Sequence, residues 1–140
     1  MSNFKDLSKS LPDKTQTFEI DVKGEITNLA YKGEFEFTIP NLRQMANIAK
    51  NEATLNAGLD KVLDYGTKNL HHMISYLKYT ITKAPDFWEE SFFGYELMDS
   101  NIIETLYIEA MKIEDKWVQT CWGKKEKKEK KDATEDEIKG

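Results

Sequence analysis

What this chain has little of narrows its reading first. It holds a single cysteine, Cys121, so no intrachain disulfide can form, and a reducing compartment fits. Its seven glycines are scattered at prospective turns and caps, which leaves no glycine-rich phosphate loop. The two histidines, His71 and His72, are adjacent. Neighbours on a helix point about 100° apart, so this pair cannot share a metal through one face. The His-Glu-x-x-His spacing of zinc proteases is missing too. Both histidines read as solvent-facing or half-buried helix residues. Arg43 is the one arginine, and every other basic residue is lysine, a hint of an A+T-rich gene. The opening "MSNFKDLSKSLPDK" lacks the apolar core of a signal peptide. No apolar run approaches the roughly 20 residues that a membrane helix needs. Positive charge is in deficit: the net charge is −5 and the pI about 5.1. That balance argues against coating nucleic acid by charge alone.

What is present begins with alternation. "TFEIDVKGEITNLAYKGEFEFTIP" places Phe18, Ile20, Val22 and Ile26 on one face of a first strand. Tyr31, Phe35, Phe37 and Ile39 share one face of a second. A tight turn on Asn28 and Leu29 predicts that Ile26 faces Tyr31, Val22 faces Phe35, Ile20 faces Phe37, Phe18 faces Ile39 and Gly24 faces Gly33. Lys23 then meets Glu34 and Glu25 meets Lys32 on the other face, while Asp21 against Glu36 is a poor pair. The weak point is Asn-Leu where Asn-Gly is usual, so a four-residue loop over Thr27–Ala30 stays open.

Helical periodicity follows. Asn41 is placed to cap a helix ending at Gly58, with Leu42, Met45, Ile48 and Ala49 inward. "LDKVLDYG" reads as a short turn of helix. A helix over 67–84 shows Leu70, Met73, Ile74, Leu77, Ile81 and Ala84 at three- and four-residue spacing, and Pro85 stops it. Asp86 is expected to cap a short helix, with Glu89 as capping-box partner and Gly94 as terminator. A last helix starts at Asp99 or Ser100, carries the stripe Ile102, Ile103, Leu106, Ala110, Ile113, Trp117 and Cys121, and ends at Gly123. On that stripe Cys121 reads as a small packed hydrophobe, although Lys124 and Lys125 could lower a thiol pKa.

These elements predict an α+β fold, an N-terminal antiparallel β-hairpin packed on a bundle of three to four helices. Residues 1–15 read as a flexible arm and 16–123 as a single globular domain. From 124 to 140 the chain reads as a disordered or frayed Lys/Glu-rich tail, because "KKEKKEKK" and "DATEDEIKG" have almost nothing to bury. The Lys run could touch an acidic partner or nucleic acid, or serve only as a solvated tail.

Candidate function centres on "KAPDFWEESFFGYEL", where five aromatic residues crowd into nine positions. Phe87 and Trp88 are expected to be structural anchors, as is Trp117. Phe92, Phe93 and Tyr95 exceed what one loop needs, so part of that set is expected to stay exposed as a partner contact. Carboxylates are plentiful, but no catalytic pair or metal set stands out among them.

The order of these segments resembles small proteins of long-tailed bacteriophages, the tail assembly chaperones and related tail-module proteins. The likeness spans about residues 16 to 120. It lies most in the helix running into "APDFW", followed by a loop and an acidic helix ending "EDKW". The hairpin is a departure, because much of that family is mainly helical. The resemblance implies a non-enzymatic protein with no cofactor. Such a protein coats the tape measure protein and recruits tail tube subunits in the host cytoplasm during virion assembly. It implies no membrane and no direct nucleic acid contact, and leaves a homo-oligomer open. A helical tape measure with apolar stripes suits a small acidic partner that masks them reversibly. The rival reading is a small structural capsid or tail protein retained in the virion. A third is a host-directed phage regulator acting through the aromatic cluster. The resemblance also implies two product lengths by a −1 frameshift, for which "GKKEKKEKK" is placed to exchange only the tail.

Overall fold

In a computed structural model, described over residues 3–59 and 61–139 and by backbone alone from 124 onward, the chain is α+β. Its order is α1 (Phe4–Lys9), β1 (Thr15–Lys23), β2 (Ala30–Thr38), α2 (Leu42–Asn56), α3 (Tyr65–Thr80), β3 (Ile81–Lys83), α4 (Asp86–Glu90) and α5 (Ser100–Lys139). Among the described residues there are thus three strands rather than two, and five helices. The disordered tail expected over 124–140 falls on residues outside the full description. Two units are distinct, Thr15–Met111 and the two chain ends up to Lys14 and from Lys112. The division falls inside α5, where the sequence alone gives no sign of a boundary.

In the larger unit β2 is the central strand of an antiparallel sheet ordered β1-β2-β3. Tyr31, Phe35 and Phe37 of β2 and Ile20 of β1 are buried, so the expected apolar face is the inner one. The register is not the expected one. Val22 faces Tyr31, Phe18 faces Phe35 and Ile20 faces Gly33, a displacement of four residues along β2. An even displacement leaves every side chain on its face, which is why the alternation survives. On the outer face Asp21 pairs with Lys32 at 3.9 Å, and Glu19 stands opposite Glu34. The connection is wide: the Gly24 amide donates to Leu29 O and the Asn28 amide to Gly24 O, both at 2.9 Å. Ile26, expected to face Tyr31, is instead exposed in this loop.

The helix expected over 67–84 stops at Thr80, and Ile81–Lys83 becomes β3, paired with Glu36 and Phe37. The β-branched run Thr80-Ile81-Thr82 ahead of Pro85 is the local reason. The inward face of α2 is also corrected. Ile48 is buried, but Leu42 and Met45 are exposed, as is Ala49. Polar residues face α3 instead. Asn51 Nδ2 donates to Ser75 Oγ at 2.8 Å. Asn56 Oδ1 lies 2.8 Å from His71 Nδ1, and Glu52 Oε2 lies 2.9 Å from His72 Nδ1. The two histidines are therefore partners of α2, His71 buried and His72 partly so.

Caps follow in part. Asn41 Oδ1 accepts from the Gln44 amide at 2.9 Å, as expected. Ala57 (φ 37°) and Gly58 (φ 78°) terminate α2 in the left-handed region. Of the stretch expected as a short turn of helix, residues 61–63 form a turn and Asp64 caps the start of α3. Pro85, not Asp86, takes the N-cap position of α4, and no side chain caps it. The α5 stripe is buried at Ile102, Ile103, Leu106 and Ala110. Gly123 lies inside α5 rather than ending it.

In the smaller unit Asn3 caps α1 by accepting from the Asp6 amide at 2.9 Å. The stretch read as an arm thus contains a short helix. Trp117 Nε1 donates to Pro12 O at 3.3 Å, which ties the α5 indole to the segment after α1. Ile113, Trp117 and Cys121 are half-buried.

Candidate functional site

The aromatic stretch begins with an anchor and ends in a strained display. Trp88 is 2% exposed, its ring edge-on to Phe35 at 6.2 Å. Phe87 is half-buried, edge-on to Tyr31 at 5.3 Å and Phe35 at 6.0 Å. Both rings pack edge-on against Phe35 of β2. Trp88 Nε1 has no hydrogen-bond partner.

After Ser91 the backbone turns left-handed at three successive residues, Phe92 (φ 51°), Phe93 (φ 56°) and Gly94 (φ 84°). For a bulky L-residue that conformation costs roughly 1–2 kcal/mol each. The loop is held by an internal network. The Phe93 amide donates to Trp88 O at 2.8 Å and the Glu96 amide to Ser91 O at 3.0 Å. The buried Ser91 hydroxyl donates to Trp88 O at 3.0 Å and accepts from the Gly94 amide at 3.1 Å. Only glycine fits at position 94, where a Cβ would lie 2.5 Å from Ile103 Cδ1 and 2.6 Å from Trp88 Cζ3.

This backbone leaves Phe92 65% and Tyr95 49% exposed, with Phe93 half-buried. The three residues come together on one groove of about 160 Å³, closed on the helix side by Leu55 of α2 and Ile74 of α3. Asn51 and Lys78 supply its polar lining. Lys78 Nζ sits 5.6 Å from the Phe93 ring centroid and 5.5 Å from that of Tyr79, the range of a cation–π contact. It also donates to Asn51 Oδ1 at 3.4 Å. Sequence reasoning found the rings but not Lys78, Asn51, Leu55 or Ile74 as their neighbours. The available signal was that Lys78 lies four residues after Ile74, and so on the same helix face.

A second polar centre lies at the hairpin loop. Asp99 is fully buried. Its Oδ1 accepts from the Ile26 amide at 2.8 Å and the Thr27 amide at 3.0 Å. Its Oδ2 accepts from the Thr27 hydroxyl at 2.5 Å and the Tyr31 hydroxyl at 3.0 Å. Burial alone pushes the Asp99 pKa up, but the bonds from the Thr27 hydroxyl and amide, the Ile26 amide and Tyr31 outweigh it and bring it from 3.8 to about 2. The Tyr31 hydroxyl is pushed up by burial and by its bond to that carboxylate. Asn101 completes the clamp, donating to Lys23 O at 3.0 Å and accepting from the Glu25 amide at 3.1 Å. Gly24 is required beside it, since any Cβ there would lie 2.1 Å from Asp99 Oδ2. These four bonds fill the acceptor sites of the carboxylate, so its work is to shape the loop.

Among the described residues, no group of three or more His, Cys, Asp or Glu side chains is placed to hold a metal ion, and no helix is long and apolar enough to cross a membrane. Comparison with models of known protein families, with curated proteins and with solved structures finds no match for this chain.

Proposed function

We propose that this protein is a non-enzymatic assembly chaperone of the phage-tail kind, which binds the tape measure protein through the Phe92–Tyr95 loop and recruits tail tube subunits in the host cytoplasm. The observation that carries the binding reading is the pair of phenylalanines held in left-handed backbone, with Phe92 65% exposed. Strain of this kind persists where surrounding structure enforces it, and it clusters at ligand-contacting sites. A loop under no demand to present these rings would relax to a cheaper backbone or a polar sequence. The choice of tape measure and tail tube as partners rests on the resemblance of the segment order, and the exposed aromatic pair is the kind of anchor such a partner needs.

The test is co-expression with the tape measure protein of the same phage. The chaperone reading expects the two to co-purify, expects Phe92→Ser to lose the complex while remaining folded, and expects mature virions to lack the chain. Stoichiometric copies in purified virions would instead favour the structural capsid or tail component.

A further inference from the structure

The groove beside Phe93 is more selective than an apolar patch. We infer that it takes a helical segment of the partner, one that presents a single bulky apolar side chain and, one turn away, a carboxylate that pairs with Lys78. This rests on the reading of the aromatic loop as the partner site.

The helical form follows from where the backbone donors go. Every amide from Ser91 to Leu97 already donates within the loop: Ser91 to Phe87 O, Phe92 to Glu89 O, Phe93 to Trp88 O, Tyr95 to Phe92 O, Glu96 to Ser91 O and Leu97 to Gly94 O, with Gly94 donating to Ser91 Oγ. The other walls come from α2 and α3, whose backbone is spent on their own helices. An extended peptide laid here would find no backbone donors for a ladder, and its own buried carbonyls would go unpaired. A helix satisfies its backbone internally and needs only side-chain contacts.

The size and charge of the occupant follow from the lining. A groove of about 160 Å³ has room for one ring or one branched aliphatic side chain, since an apolar cavity of about 150 Å³ holds benzene. Among the described residues that line it, Lys78 carries the one charge. Its ammonium has three donors, and Asn51 engages one of them at 3.4 Å. Side chains four apart on a helix lie about 5–6 Å from each other. Lys78 Nζ is 5.6 Å from the Phe93 ring centroid. An anchor seated against Phe93 therefore brings a carboxylate one turn away within reach of Lys78.

The probes are three alanine-based peptides of about 15 residues, long enough to be partly helical. The first carries one Leu and a Glu four residues later, the second replaces that Glu by Lys, and the third keeps Leu and Glu but places a Pro between them. Affinities are read by NMR titration of the full chain at low salt. The Glu peptide is expected to bind about tenfold more tightly than the Lys peptide, and the Pro peptide to lose binding. Lys78→Glu should reverse the order of the first two, and Lys78→Met should level them. Equal affinity of the Glu and Lys peptides for the native chain overturns the inference. So does an order unchanged in both Lys78 variants, undiminished binding of the Pro peptide, or no binding of any peptide. The chaperone reading is scored separately, by tape measure capture with Phe92→Ser, and stands or falls without these results.

Discussion

The Asp99 carboxylate accepts both the backbone amide and the hydroxyl of Thr27, a residue 72 positions earlier in the chain. That relationship sets the hairpin loop, and it makes the loop sensitive to acid. The folded pKa of Asp99, about 2, lies below its usual 3.8. A depressed carboxylate contributes stability that is present above the unfolded pKa and lost as pH falls toward the folded one. The thermal midpoint of the native chain should therefore exceed that of Asp99→Asn by a constant margin from pH 5 to 7. The margin should narrow between about pH 4 and 2. A margin independent of pH over that range would remove the charge from the account.

Trp88 and Phe92 should separate stability from capture. Trp88→Ala empties a fully packed site and is expected to cost about 3–5 kcal/mol in denaturant unfolding. Phe92→Ser touches an exposed ring and should stay within about 0.5 kcal/mol of the native chain. Equal losses at the two positions would contradict this division.

Phe92→Gly is the sharper case. Glycine meets the φ of 51° without the left-handed penalty, and gives back part of that gain by loosening the unfolded chain. Stability should hold or rise by about 1 kcal/mol, while tape measure capture is lost. A marked drop in stability would mean that the ring, not the backbone, organises the loop.

Gly94→Ala runs the other way. It combines a φ of 84° with a Cβ aimed at Ile103 and Trp88, and should destabilise by about 3 kcal/mol. Calorimetry on the purified variant reads this directly. A midpoint unchanged from the native chain would show that the loop backbone is free to move.

Cross-strand cysteines would check the register in a Cys121→Ser background. Residues 21 and 32 are partners, so a cysteine pair there should oxidise readily, whereas a pair at 25 and 32, the tight-turn alternative, should not.

How far these features were legible in the sequence depended on the range of the interaction behind them. The faces of β1 and β2 were readable because alternation is local, and a displacement of four residues does not disturb it. The register was not, because the turn is shaped by Asp99 and Asn101, far along the chain. The apolar periodicity of α3 ran on through Ile81 and Ala84 and concealed β3. In α2, Leu42 and Met45 drew the eye inward, while the contacts that orient the helix are polar pairs to Ser75, His71 and His72. The surplus of rings at the candidate site was visible by counting. Their left-handed backbone was not, since Gly94 alone hinted at a positive φ, and the cation beside them lies on another element.

The Asp99 clamp also has a consequence for synthesis on the ribosome. Both strands of the hairpin emerge long before the carboxylate that fixes their connection. At about 5–20 residues per second, the 72 positions between Thr27 and Asp99 correspond to about 4–14 s of translation. During that interval the two alternating strands can pair in either even register, because each buries the same face. The arrival of residue 99 then acts as a proofreading step, selecting the alignment whose loop presents Ile26, Thr27 and Tyr31 to one acceptor. A nascent chain arrested before that point should expose the hairpin loop to protease, and one arrested with α5 fully emerged should protect it.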